Sequence, residues 1–165
     1  MMISIISAMS KNHVIGINNY IPWYLPNDLK WFKHNTINKP IIMGNNTYKS
    51  INKIPLPNRL NIILTKKIHK TKKNKNTIFV SNKKTALSII PKKEKEIMII
   101  GGNQIYNIFF KQANRLYLTH INIIIKGNVF FPKYQKNNWF SIYKKFSYAD
   151  KNNLYDCFFE ILQRH

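Results

Sequence analysis

The segments Ile41-Ile42-Met43-Gly44-Asn45-Asn46-Thr47-Tyr48 and Met98-Ile99-Ile100-Gly101-Gly102-Asn103-Gln104-Ile105-Tyr106 repeat one pattern. Each begins as a short apolar run, stops at glycine and continues with mixed polar and apolar residues. An isoleucine-rich run of that length, stopped by glycine, reads as a buried strand, and the mixed segment after the glycine reads as a helix. A strand–glycine–helix junction aims free backbone N–H groups and the positive end of a helix at one point, which suits a phosphate. Two such junctions could hold a pyrophosphate between them. No G-x-G-x-x-G occurs, so the usual dinucleotide fingerprint is absent, and glycine also ends many strands for packing reasons alone.

The same reading extends along the chain. Residues 3–9 form a buried strand, 10–25 a long loop with Gly16, Pro22 and Pro26, and 26–36 a helix with Pro26 at its first position. Residues 40–43 are a strand and a short helix runs to about residue 51. Pro55 and Pro57 mark a turn, 60–65 is a strand, and 66–75 is a Lys-rich loop. Residues 77–80 are a strand, 82–90 a helix, 96–100 a strand, and a helix follows to about residue 112. Residues 115–125 read as one long strand, and 139–148 with 156–163 as an aromatic-rich hairpin. Strands alternating with helices, then a β tail, predict an α/β sheet, mostly parallel, with an antiparallel edge. At 165 residues the chain suits one domain spanning 1–165.

Composition narrows the class. Apolar residues are 44%, enough for a core. One cysteine, Cys157, excludes an internal disulfide framework and fits a reducing compartment. No apolar run approaches the roughly 18 residues of a membrane span, and the start MMISIISAM has no basic stretch of a signal peptide. A cytoplasmic chain without membrane contact is the expectation. The charge is +21, with 27 Lys plus Arg against 6 Asp plus Glu. One reading is a polyanion partner. Against it, arginine, which reads bases and forks onto phosphates, occurs only at Arg59, Arg115 and Arg164. No aromatic residue interrupts the 66–75 run to make a stacking platform. Neutral asparagine and apolar isoleucine are inflated alongside lysine, as A+T-rich codons would produce. Drift of composition is therefore favoured over specific nucleic-acid binding.

Acids are scarce, so each is informative. Asp28 is the only carboxylate in the first 93 residues. At about 100° per residue, Asp28, Phe32 and Thr36 share one face of the 26–36 helix, flanked by Leu29 and Trp31. Lys30, Lys33 and His34 are expected to point away. A carboxylate on that apolar face needs partners. It is either a charge placed at the positive helix end or a group that binds a cationic or N–H-rich heterocycle.

Here the residues carry a resemblance. Ile15-Gly16, Ile21-Pro22-Trp23-Tyr24-Leu25-Pro26-Asn27-Asp28-Leu29-Lys30-Trp31-Phe32-Lys33, Lys39-Pro40-Ile41-Ile42-Met43-Gly44, Thr47, Ser50, Leu56-Pro57 with Arg59, Ile99-Ile100-Gly101-Gly102, Tyr106, Leu116-Tyr117-Leu118-Thr119-His120-Ile121 and Phe159-Glu160-Ile161-Leu162 occur in that order. The set resembles bacterial dihydrofolate reductase over essentially the whole chain, with about one residue inserted near Lys53-Ile54. The resemblance implies an eight-stranded mixed sheet with about four helices. It implies an adenosine-binding lobe at roughly 39–94, the remainder forming the loop and catalytic lobe. It implies reduction of 7,8-dihydrofolate to tetrahydrofolate with NADPH, for one-carbon metabolism, by a monomer without a metal.

Residue by residue, it makes Asp28 the pterin-binding carboxylate, assisting protonation at N5 through water near Trp23. Thr119 would support Asp28. Ile6, Ser7, Ile100 and Tyr106 would line the pterin and nicotinamide, and Leu29, Phe32, Ile51 and Leu56 would grip the substrate's aromatic ring. Arg59 would fork onto the glutamate carboxylate. The cofactor would meet Ser7, Ile15, Gly16, Ile21, Gly44, Asn45, Asn46, Thr47, Ser50, Leu64, Thr65, Lys66, Gly101, Gly102, Asn103, Gln104, Ile105 and Tyr106. Gly101-Gly102 matches a pair that is cis in the family, and 10–25 matches a mobile loop supported by the loop of Gly127.

The sequence also departs from the family pattern. Ile21 replaces a methionine, Asn45 and Gln104 stand where arginines are common, Asn103 replaces a third glycine and Asn128 an aspartate. These put the 2′-phosphate contacts and the loop-closing hydrogen bonds in question. A pyrimidine reductase of riboflavin synthesis shares the fold but should lack the Trp23–Asp28 pair and Arg59. A polyanion-binding protein would need neither a buried Asp28 nor the double glycine.

Overall fold

In a computed structural model that describes residues 1–18, 20–66 and 76–165, the chain forms, in order, β1 (Met2–Ser10), β2 (Val14–Gly16), α1 (Pro26–Thr36), β3 (Ile41–Gly44), α2 (Asn45–Ser50), β4 (Asn61–Leu64), β5 (Thr77–Val80), α3 (Lys83–Ser88), β6 (Glu96–Gly101), α4 (Asn103–Phe110), β7 (Arg115–Ile121), β8 (Val129–Phe130), a 3-10 turn (Lys136–Asn138), β9 (Trp139–Ser147) and β10 (Cys157–Arg164). Residues 67–75, most of the Lys-rich run, lie outside the described residues. Eight strands make one sheet in the order β5-β4-β3-β6-β1-β7-β10-β9. Pairing is parallel from β5 to β7, and β10 and β9 close the edge antiparallel. Among the described residues no helix is long and apolar enough to cross a membrane.

The alternation of side chains along β1 explains the layering. Ile3, Ile5 and Met9 join one apolar cluster with Phe109 and Leu116, under α4. Ile6 joins a second cluster with Ile41, Met43 and Tyr117, against which Trp31 and Phe32 of α1 pack. Because both faces are covered, the central strands are apolar on both sides, as parallel sheets require. Local chemistry sets the helix ends. Pro26 occupies the first turn of α1, and Lys33 and His34 sit in the last turn, where the helix end is negative. Asn82 caps α3 by accepting from the Thr85 N–H at 2.9 Å.

Several boundaries differ from the sequence expectation. The helix expected over 82–90 is confined to Lys83–Ser88, and the one expected to reach residue 112 ends at Phe110. The strand expected to reach residue 125 ends at Ile121. Beyond it the chain leaves the sheet and runs beside residues 11–18. The Lys11 N–H donates to Ile123 O at 2.8 Å, and Asn12 Nδ2 donates to Ile125 O at 2.8 Å. The 10–25 segment is also not all loop, because β2 lies within it and pairs antiparallel with β8, as Val14↔Phe130 and Gly16↔Val129. A three-residue and a two-residue strand are too short to show a period.

Gly127 sits tightly against β2. A Cβ there would lie 2.3 Å from Val14 Cγ1 and 3.0 Å from the Gly16 carbonyl oxygen. The oxygen belongs to the backbone of β2 and cannot rotate away. Gly127→Ala is therefore expected to cost about 1–3 kcal/mol, the usual scale of overpacking. This should lower the thermal midpoint by several degrees, roughly 2–4 °C per kcal/mol in a domain of this size. An unchanged midpoint would show that the ribbon yields without cost.

Candidate active site

The parallel strands end on one side of the sheet, where ligands of open α/β sheets bind. A cleft of about 1160 Å³ opens there. Its floor takes Ile6, Ser7 and Ala8 from β1, Gly44 from β3, Leu64 from β4 and Ile100-Gly101 from β6. One wall is α1, with Asp28, Leu29, Phe32 and Lys33, continued by Ser50, Ile51, Leu56 and Arg59. The opposite wall holds Ile15, Gly16, Tyr20 and Ile21 with Asn128, Val129 and Phe130. The first turns of α2 (Asn45, Asn46, Thr47) and α4 (Asn103, Gln104, Ile105) meet in it, and Thr65, Lys66 and Ser81 lie at its far end.

Every site residue named from the sequence lines this cleft except Thr119, which reaches it through Asp28. Sequence reading did not assign Ala8, Tyr20, Lys33, Ser81, Ile108, Asn128, Val129 and Phe130 to the site. Lys33 was expected to point away, but it follows Leu29 by four residues and so shares that helix edge. That edge is the rim of the cleft, where Leu29 is 51% exposed. Thr36, expected on the Asp28 face, is fully buried behind it. Its hydroxyl donates to Phe32 O at 2.8 Å and accepts from Arg59 Nη1 at 2.7 Å.

Two half-buried carboxylates show what distinguishes the site. Glu96 loses solvent, which pushes its pKa up, yet Lys39 and Ser4 donate to it at 2.6 Å and Tyr117 at 3.0 Å. These donors hold it below the ordinary carboxylate range. Asp28 has no cation partner among the described residues. Burial pushes its pKa up to about 6, offset in part by one neutral donor, Thr119 Oγ1, at 2.6 Å. Trp23 Nε1 is buried without a hydrogen-bond partner among the described residues, and Trp23 lines the same cleft. A carboxyl poised near neutrality in a cleft is suited to moving a proton.

Arg59 is the converse case. It is 6% exposed, its Nε donates to Pro57 O at 3.0 Å, and burial lowers its pKa. Among the described residues it forms no salt bridge, so an anionic ligand would complete it. At the phosphate-like junctions neither α2 nor α4 is capped by a side chain, and neither has an acid in its first turn. The Gly101–Gly102 peptide is cis. A Cβ at Gly44 would lie 2.9 Å from Ile105 Cγ1, so glycine lets the two helix starts converge.

The family model described as dihydrofolate reductase matches residues 2–164. The chain belongs to the dihydrofolate reductase family. It is 48% identical to the dihydrofolate reductase of Buchnera aphidicola subsp. Schizaphis graminum, over 99% of this chain and all of the relative. It is 38% identical to that of Haemophilus influenzae, over 99% of both. A solved dihydrofolate reductase from Enterococcus faecalis, complexed with NADP(H) and RAB-propyl, superposes with a TM-score of 0.89 at 30% identity. That likeness covers 99% of this chain and 96% of the other.

The position of Asp28 in this dihydrofolate reductase fold has a measurable stability signature. Its folded pKa of about 6 exceeds the ordinary 3.8. Between those values the folded state keeps a proton that the unfolded state has released, so stability falls as pH rises through that window. A shift of about two units corresponds to at most ~3 kcal/mol. Asp28→Asn should therefore melt higher than the unmutated protein at pH 7–8, with the gap closing towards pH 4. A gap that does not change with pH would show that Asp28 is not held protonated by burial.

Proposed function

We propose that Asp28 and the cleft around it carry the chain's activity, the reduction of 7,8-dihydrofolate to 5,6,7,8-tetrahydrofolate with NADPH. The observation that carries this assignment is the one carboxylate among the described residues of the cleft, raised to about 6 by burial and held by Thr119. Thr119 engages Oδ1, which leaves Oδ2 to accept from the 2-amino and ring N–H groups of a pterin. Near pH 7 a fraction of Asp28 remains protonated, and water between it and Trp23 Nε1 would pass that proton towards N5. Ile6, Leu29, Phe32, Ile51, Leu56 and Ile100 supply apolar surface for the substrate's rings, and Arg59 the cation for its carboxylate.

The residues present also fit the cofactor. The two uncapped helix starts suit a pyrophosphate, with Gly44, Asn45, Asn46 and Thr47 on one side and Gly101–Ile105 on the other. NADPH, when bound, supplies the hydride. Ser7, Ile15, Gly16, Ile21 and Tyr106 would enclose the nicotinamide and exclude water. Tyr106 is fixed for this by donating from its hydroxyl to Ile6 O at 2.8 Å. Residues 39–94 would then form the adenosine side, with Ser50, Leu64, Thr65, Lys66 and Gln104 along it. With one buried cysteine and a strong net charge that opposes self-association, we read the protein as a cytoplasmic monomer. Elution at 19.6 kDa on gel filtration would agree with that reading.

The test of the chemistry is NADPH oxidation followed by absorbance, with and without dihydrofolate, in the unmutated and Asp28→Asn proteins. Turnover at pH 7 should fall by about 10²-fold or more, the scale of losing a placed acid–base group. It should recover in part towards pH 5, where solvent supplies the proton. A folded variant with near-normal turnover at pH 7 would sink the assignment.

Cofactor choice gives a second expectation. Asn45 and Gln104 are neutral, and Lys66 is the one lysine among the described residues at the far end of the cleft. Among the described residues no acid lines that end to prefer a free 2′-hydroxyl. NADPH should be preferred over NADH, and Lys66→Ala should narrow the ratio of kcat/KM by roughly three- to tenfold, as expected for one partly exposed charge-assisted contact. An unaltered ratio would place the discrimination elsewhere. Lys67 lies outside the described residues.

A further inference from the structure

We propose that the Asn103 side chain is a positioning device that ties the cofactor-facing start of α4 to the β2–β8 ribbon, so that a dinucleotide held at that helix start also holds the ribbon in place. This rests on the reading of the cleft given above. Asn103 is the first residue of α4, directly after the cis Gly101–Gly102 peptide. Its Nδ2 donates to the carbonyl oxygen of Phe130 at 2.6 Å. One turn on, Asn107 Nδ2 donates to Asn103 O at 2.9 Å and to Asn103 Oδ1 at 3.2 Å. That second contact occupies the oxygen end of the Asn103 amide and orients its nitrogen end towards β8. Glycine at position 103, the residue the family pattern leads one to expect, could make neither the bond to Phe130 O nor the one from Asn107 to the amide oxygen.

What Asn103 holds is a short ribbon, continued on one side by the Phe131 N–H donating to His13 O at 2.9 Å. β8 has two residues and pairs with β2 at two positions, with an irregular register between them. The neighbouring tie is a reciprocal amide pair at the surface, with the Asn18 N–H donating to Asn128 Oδ1 at 3.1 Å and Asn128 Nδ2 donating to Asn18 Oδ1 at 2.9 Å. The next residue, Phe131, is buried against Tyr106 and Phe110, so the ribbon is anchored at one end by apolar packing. Asn103 anchors it at the rim. Ile15, Gly16, Val129 and Phe130 all line the cleft with Asn103, so a ligand that fixes the start of α4 fixes that wall through one bond. In a ladder held by few hydrogen bonds, loss of one should loosen the ribbon measurably.

The test compares Asn103→Ala, Asn107→Ala and the double variant. Asn107 does not line the cleft, so it reports the tether without removing a group near the ligand. NADPH release by stopped flow should be about three- to tenfold faster in Asn103→Ala, the range expected for one net hydrogen bond. Asn107→Ala should show a smaller change in the same direction, and the double variant should be no faster than Asn103→Ala, since the two act in series. The KM for NADPH should rise while that for dihydrofolate stays within twofold. Amide exchange at Val14, Val129 and Phe131 should quicken in both single variants without ligand. Faster release in Asn103→Ala with Asn107→Ala and the exchange rates unchanged would mean a direct ligand contact and overturn the tether. Unchanged release in Asn103→Ala would overturn it too. No NADPH binding by the unmutated protein, with exchange still quickened in the variants, would remove the functional reading and the coupling while leaving the hydrogen bond itself.

Discussion

The 2.6 Å hydrogen bond from Thr119 to Asp28 joins α1 to the central sheet, and the geometry of the cleft depends on it. Along β7, Leu116 and Leu118 pack into the cluster under α4, while Tyr117 belongs to the opposite cluster. Thr119 shares the Tyr117 face by the two-residue period of a strand. There it presents a hydroxyl where the neighbouring side chains are apolar. That hydroxyl is the partner the acid in the first turn of α1 finds on burial. With Asp28 so placed, Trp31 and Phe32 fall onto the sheet, and Leu29 is left at the rim with Lys33. Trp31 then stacks on Phe159, at 5.0 Å, and on Tyr143, at 5.5 Å. The helix is thus held on three strands while its first turn still faces the cleft.

The contrast with Glu96 shows what sets the Asp28 carboxylate apart. Both acids lose solvent. Glu96 gains an ammonium and two hydroxyls and stays ionised, joining the starts of β1, β6 and β7 with Lys39. Asp28 gains one hydroxyl, so it stays partly protonated near neutral pH at a cost to stability. A group that is easy to ionise cannot deliver a proton at pH 7, and one fully satisfied by the protein has no capacity left for a ligand. Asp28 thus keeps capacity for a proton and for a ligand, and the guanidinium of Arg59 meets no carboxylate among the described residues.

Most of the sheet was legible because its signals are local. The runs at Ile41–Gly44 and Glu96–Gly101 are strongly apolar and end at glycine, and Pro26 marks the start of α1 to the residue. The lone acid was legible for the same reason, since scarcity and helical phase can be read from a few residues. The β2–β8 ribbon was not, because its strands are too short to have a period and their partners are more than a hundred residues apart. The fate of residues 122–125 depends likewise on Asn12 and Lys11, which no local pattern links to them. Lys33 was misplaced because the rim of a cleft is neither the buried nor the solvent face of a helix. Asn128, read from the sequence as a lost charge, keeps its place in the ribbon because an amide can accept and donate at once.

Charge completes the picture. Among the described residues of the cleft, Asp28 is the one acid, while Lys33, Arg59 and Lys66 are basic. Dihydrofolate and NADPH are both anionic, so the excess of +21 acts in one direction on both encounters. The field does not need arginine forks to do this, because steering depends on net charge and not on hydrogen-bond geometry. Orientation inside the cleft does need geometry, and there the chain keeps one buried arginine, one acid and two uncapped helix starts. Steering by net charge therefore places no demand on which surface residues carry it, whereas Asp28 and Arg59 are set in place by burial and by hydrogen bonds to Thr119, Thr36 and Pro57 O.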